Sequence, residues 1–209
     1  MAITIVDGAQ VEGTDRLADL LWETDPAIFK FIFGSLQVWR RLFPHEWAAD
    51  FGTNQAKETS VALDGGKPVG LVNCFAGAKL AQRFATASKR QVAILDPDAV
   101  QQMTAAYDAM EWLFPQVPDE ALYILNIVVA PEMRGQDLGR RLIDEAVAKA
   151  RLLGLRAVHL DTAADNPAVH FYNRVGFRAV VESRALNLPE GIVLPNRLRM
   201  VLKVGAAPL

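Results

Sequence analysis

The stretch Leu122-Tyr123-Ile124-Leu125-Asn126-Ile127-Val128-Val129-Ala130-Pro131-Glu132-Met133-Arg134-Gly135-Gln136-Asp137-Leu138-Gly139-Arg140-Arg141 decides how the chain folds. Its first eight residues are a nearly continuous apolar run, the pattern of a strand buried on both faces of a sheet. Residues 130–137 read as a loop. From Leu138 the spacing turns helical, with Leu138, Leu142, Ile143, Ala146, Val147 and Ala150 on one side, and Gly154 stands where a helix ends. Residues 157–161 then resume strand character. Strand, helix and strand form a crossover, so the two strands run parallel and the loop sits at the carboxyl end of the first.

That loop has the features of an anion site. Its small residues allow close approach to the backbone, and the free amides and dipole of the following helix favour a phosphate or pyrophosphate. Arg134, Arg140 and Arg141 add positive charge. The alternative is a plain structural turn. Other phosphate loops are excluded: there is no Gly-Lys-Ser/Thr ending, and only Gly135 and Gly139 stand where a dinucleotide loop needs three glycines. A Gly-x-Ser-x-Gly nucleophile elbow is absent as well.

Working outward, residues 3–6 are β-capable, and residues 15–22 and 26–43 carry apolar side chains at helical spacing, which predicts a helical hairpin. Asp25-Pro26 marks the second start as N-cap and first helical residue. Residues 61–63 and 69–72 flank Asp64-Gly65-Gly66-Lys67-Pro68 as strand, turn and strand. Residues 77–118 read as a helical insertion whose second half opens at Asp96-Pro97. Its stripe of Val100, Met103, Tyr107, Met110 and Phe114 is an amphipathic core face rather than a cofactor cover. Beyond the crossover, Asn166-Pro167 opens a short helix to about Arg174 that Gly176 ends. Residues 177–181 and 198–204 are strands, and residues 205–209 a loose tail.

Composition narrows the class. The 209 residues fit one domain, since single cores grow to about 150–250 residues before splitting. A net charge of −2 and a pI near 5.9 lack the basic footprint of a nucleic-acid binder. A hydrophobic fraction of 51% and a mean hydropathy of +0.13 exclude intrinsic disorder. Apolar runs fall short of the roughly 18–20 residues of a membrane span, and the N-terminus has no charged leader before an apolar block. Cys74 is the one cysteine, which excludes an internal disulfide and any multi-cysteine metal centre and fits a reducing, cytoplasmic setting. Between strand residues it reads as a buried small side chain rather than a nucleophile. Trp22, Phe29, Phe31, Phe33, Trp39, Phe43, Trp47 and Phe51 crowd the first helices, and most must be core.

Two motifs carry a resemblance. The run Val129-x-Pro131-x-x-Arg134-Gly135-x-x-x-Gly139-x-x-Leu142 resembles the acyl-CoA motif of the GNAT superfamily of N-acetyltransferases. Asn166-Pro167-Ala168-x-x-Phe171-Tyr172-x-x-x-Gly176-Phe177 resembles the motif that follows it there. The resemblance implies an α+β fold: a mixed, mostly antiparallel central sheet with a parallel splayed pair, flanked by helices. It implies one domain over residues 1–209, with a substrate-side helical segment (15–55), an insertion (77–118) and a CoA-binding core (121–204). The backbone of Ile127, Val128 and Val129 would receive the pantetheine arm. Arg134, Gly135, Gln136, Asp137, Leu138 and Gly139 match the pyrophosphate loop, and Arg140 begins the helix. Asn166 matches a pantetheine contact, although it also reads as an N-cap. Tyr172 matches the general acid, although packing on a short helix would also explain it. Acetyl-CoA would be the cosubstrate, with no metal, and a primary amine of a small molecule or peptide the acceptor. Homodimers are common among such folds.

The chain departs from that pattern at specific residues. Asp137 stands where the motif has its first glycine; aspartate tolerates the glycine-like backbone, but its charge would repel a pyrophosphate unless it points into solvent. Asn126 occupies the central-strand position where an acid or histidine often serves as base. Asp161 is a candidate base, with an ion-pair role as its alternative, and His159 shares its strand face. His45 and His170 carry no signal beyond surface or packing. Three functions follow: an N-acetyltransferase, a catalytically degenerate CoA-binding or partner-binding module, and an acyltransferase for longer acyl groups with a crevice near Cys74.

Overall fold

A computed structural model describes residues 3–205; residues 206–209 of the expected tail lie outside it. Seven strands form one sheet in the order β1-β2-β3-β4-β5-β7-β6 among the described residues. They are β1 (Thr4–Asp7), β2 (Thr59–Asp64), β3 (Lys67–Ala76), β4 (Ala121–Val129), β5 (Ala157–Ala163), β6 (Arg178–Ser183) and β7 (Arg197–Lys203). All pairings are antiparallel except β4 with β5. This is the expected mixed sheet with one parallel pair.

The register of β4 positions the site. Asn73 of β3 faces Asn126, but the next residue, Cys74, faces Ile124. Leu125 is therefore the extra residue of a β-bulge, and a bulge bends its strand. On its other edge, β4 pairs with β5 only from Ala121↔Ala157 to Ile124↔Leu160. Past that point β4 follows β3 as far as Val129, whereas β5 follows β7 as far as Ala163. The two parallel strands part at the bulge, and residues 125–129 keep one edge without a strand partner.

Among the described residues, seven α-helices surround the sheet: α1 (Asp15–Trp22), α2 (Pro26–Phe33), α3 (Leu36–Trp47), α4 (Leu80–Ile94), α5 (Pro97–Ala109), α6 (Leu138–Leu152) and α7 (Ala168–Arg174). The crossover helix α6 packs on β3, β4 and β5. Gly70 makes room for it: a Cβ there would stand 2.9 Å from the Val128 carbonyl and 3.3 Å from Leu142. Asp25 caps α2, its carboxylate accepting from the Ile28 amide at 3.1 Å, with Pro26 in the first turn.

Two expectations need correction. The predicted helix over residues 26–43 is two helices, because Gly34 turns left-handed at φ 73° and Ser35 restarts the chain by accepting from the Val38 amide. Three helices stand where a hairpin was expected. The stripe assigned to the second half of the insertion also outruns its helix. Met110 caps α5 and Phe114 lies beyond it, both still packed on the core.

The aromatic residues of the first helices form a continuous stack. Ring centroids lie 5.8 Å apart for Trp22–Phe29, 4.9 Å for Phe29–Trp39, 5.3 Å for Trp39–Phe43 and 5.5 Å for Phe43–Trp47. The Trp39 indole donates to the Ala18 carbonyl at 3.0 Å, tying α3 to α1. Cys74 is buried, and burial pushes its thiol up to about 11, which leaves it an inert packing group.

Candidate functional site

The parting of β4 and β5 opens a cleft of about 1060 Å³, bordered by the α6 loop, α7, α2, α5 and β7. Its two halves are built differently.

The loop before α6 forms one half. Gly135 and Asp137 both take left-handed backbone, at φ 77° and 59°, and Asp137 is the sole non-glycine residue with positive φ among the described residues. Aspartate thus reproduces the turn that glycine would make. Its side chain is exposed and does not cap α6. The first hydrogen bond of α6 runs from the Arg141 amide to the Asp137 carbonyl, so the amides of residues 135–140 precede the helical ladder and have no acceptor among the described residues. Arg134 and Arg140 border the cleft; Arg134 Nε donates to the Val129 carbonyl at 3.2 Å. Arg141 does not join them. Its guanidinium donates to the Ile3 carbonyl at 3.0 Å and fastens β1 to α6. Gly139 keeps α6 close to α7, since a Cβ there would meet the Phe171 ring at 3.1 Å.

Ile127, Val128, Val129, Gly135, Asp137, Leu138, Gly139, Asn166 and Tyr172 all line this cleft with the two arginines, whereas Gln136 is exposed outside it, donating to the Glu132 carbonyl at 3.3 Å. Asn166 accepts from the Ala168 amide at 2.9 Å, the capping role its position suggests. Tyr172 is 7% exposed and wedged between Phe171 and Phe177. Burial alone pushes its hydroxyl up to about 12, so it stays protonated near neutrality.

The other half is side-chain chemistry. Asp161 is an ion-pair residue: Arg199 grips it with Nε at 2.7 Å and Nη2 at 2.8 Å, and the Tyr123 hydroxyl donates to it at 2.8 Å. Its side chain is 2% exposed. Both of its carboxylate oxygens are therefore engaged by donors. His159 lines a separate depression with Lys203 and Val204, and burial, helped by Arg199, lowers its pKa. Asp161 thus stands in the cleft lining as an ion-paired residue, and His159 lies outside that lining. Asn126 donates to Asn54 at 2.9 Å and accepts from Thr24 at 3.4 Å, joining β4 to the first helices. Asn54, Thr24 and Arg197 escaped the sequence reading. An Arg-x-Arg alternation on the last strand, Arg197 and Arg199, was the signal available for the last of them. Among the described residues, no three His, Cys, Asp or Glu side chains are grouped to hold a metal ion.

The sequence model of the acetyltransferase (GNAT) family matches residues 14–177. An uncharacterised N-acetyltransferase of Methanocaldococcus jannaschii is 32% identical over 94 residues, a match spanning 44% of this chain and 37% of that relative's length. Among solved structures, an N-acetyltransferase from Staphylococcus aureus Mu50 superposes with a TM-score of 0.67 at 13% identity, covering 95% of this chain and all of that one. A chain of the NatC complex bound to Gag peptide and CoA superposes at 0.56 and 17% identity, covering 98% and 100%. These likenesses are of fold.

Proposed function

The chain belongs to the acetyltransferase (GNAT) family, and from that premise we propose that it transfers an acetyl group from acetyl-CoA to a primary amine, with Tyr172 as general acid. One observation carries this reading. The unpartnered edge of residues 125–129, Gly135 and residues 137–140 with their free amides, and Tyr172 with its protonated hydroxyl all border the same cleft.

The residues present fit the cosubstrate. Six successive amides at the start of α6, flanked by Arg134 and Arg140, suit a pyrophosphate, and the open edge of Ile127, Val128 and Val129 suits the amides of a pantetheine arm. Bound there, acetyl-CoA supplies the acetyl group as an activated thioester. The chain then supplies three things. Amides on the open edge of β4 donate toward oxygen as it gains negative charge. Tyr172 Oη holds a proton for the departing sulfur. Asn126, fixed by Asn54 and Thr24, holds β4 against the acceptor side. With Asp161 occupied, the proton released by the amine leaves through water in the cleft. A reducing, cytoplasmic setting fits the single buried thiol.

The test is calorimetry with acetyl-CoA followed by turnover on an amine panel. Micromolar binding with turnover supports the reading, and Tyr172→Phe should lower kcat while leaving CoA affinity unchanged. Binding without turnover on any amine would point to a CoA-binding module instead. Failure to bind up to millimolar acetyl-CoA would remove the cosubstrate.

A further inference from the structure

Arg197 is the buried cation that the proposed chemistry leaves unused. It stands at the start of β7, opposite Ala163 at the end of β5, three residues past the last β4–β5 pair, and it lines the cleft on the wall facing β4. It is 4% exposed. Its Nη2 pairs with Asp25, and the Phe114 ring lies 5.4 Å from the guanidinium carbon. The other Asp25 oxygen is taken by the cap of α2. Arg197 Nε and Nη1 are buried and have no hydrogen-bond partner among the described residues.

A guanidinium carries five N–H donors, and buried donors are almost always satisfied. Here one carboxylate oxygen serves the whole group, whereas the neighbouring Arg199 has a bidentate carboxylate and two carbonyls. The contrast singles out Arg197 as a fork held in place by the protein and left with donors to spare. The cleft it lines also presents apolar side chains, Ile28, Phe29 and Phe33 from α2 with Tyr107, Met110 and Phe114 from α5 and the segment after it, beside the acidic Glu23 and Glu111.

We propose that Arg197 anchors an oxygen of the acceptor, which makes the preferred acceptor an amine whose adjacent carbon bears a carboxylate or amide carbonyl and an apolar side group. This rests on the acetyltransferase reading and narrows it to an α-aminoacyl amine. A simple alkyl amine has no atom to offer the spare donors. A free amino acid offers a carboxylate, and an amidated or peptide-bound one a carbonyl; the shared feature is an oxygen acceptor three bonds from the amine nitrogen.

Three probes separate the cases: L-phenylalanine, L-phenylalaninamide and phenethylamine, which share a side group and differ in that oxygen. Calorimetry with wild type, in the presence and absence of CoA, should give at least tenfold tighter binding of one oxygen-bearing probe than of phenethylamine. The preferred one of the pair identifies carboxylate or carbonyl. Arg197→Lys keeps a cation beside Asp25 and removes the fork. It should erase the tenfold preference without shifting CoA affinity, and melt within a few degrees of wild type; Arg197→Gln, which leaves Asp25 unpaired, should erase the preference too, with a lower melting temperature. Equal binding of all three probes, binding of none, or a preference that survives both substitutions in folded protein would overturn the proposal. Because the probes are read without acetyl-CoA, this failure is distinct from loss of cosubstrate binding, which would sink the acetyltransferase reading itself.

Discussion

The two halves of the cleft solve recognition in opposite ways. The half before α6 uses backbone: a left-handed turn at residues 135 and 137, a row of free amides and an unpaired strand edge. The half formed by α2, α5 and β7 uses side chains that meet from distant parts of the chain, such as Asp25 with Arg197 and Asp161 with Arg199. Backbone recognition needs only small residues and a helix start, so it tolerates sequence change and stays generic. Side-chain recognition depends on particular partners, so each substitution there is felt sharply.

Substitutions that damage one half and spare the other test this contrast. The largest effect is expected from Asp161→Ala, which strands Arg199 in the interior. Breaking a buried pair by removing one partner costs about 3–5 kcal/mol, read as a lower melting temperature and urea midpoint. Asp161→Ala protein that melted like wild type would show that the pair is dispensable. Tyr172→Phe should lower kcat by roughly 10²-fold, within the usual range for a general acid, with acetyl-CoA affinity unchanged. Equal losses in binding and turnover would make Tyr172 a packing residue.

A smaller effect is expected in alkali. Burial raises Tyr107, Tyr123 and Tyr172 above the ordinary phenol value near 10, Tyr172 to about 12. The unfolded chain then loses these protons first as pH climbs. The stability they contribute is complete below pH 10 and falls as the pH rises toward 12 and beyond. Chemical denaturation at pH 9 and 11 should show that decline, and Tyr172→Phe should lessen it. The smallest change is expected on the backbone half. Asp137→Gly relieves a left-handed aspartate and removes a carboxylate from the cleft wall, and should tighten CoA binding by about 1 kcal/mol. Unchanged affinity would mean that the carboxylate faces away from the phosphates.

The same contrast explains what the sequence revealed. The strand, loop and crossover helix were legible because hydrophobic period, a helix-start loop and Gly154 are local signals within some thirty residues. The turn at Asp137 was legible too, since aspartate tolerates left-handed backbone. The bulge at Leu125 was not, because it is a relation between two strands and leaves no mark on either alone. Nor was the engagement of Asp161, whose partner Arg199 lies 38 residues away. The break at Gly34 had a visible cause, but the apolar spacing runs straight through it and hid it.

The open edge of β4 has one more consequence. An unpaired strand edge on the rim of a sheet is a template on which other chains can add and aggregate. This one is interior, with β5 beyond it and α7 beside it, so it does not lie on the rim where a second sheet would add. By opening at the bulge of Leu125, inside the sheet, the free edge is kept away from the rim where edge-to-edge aggregation starts.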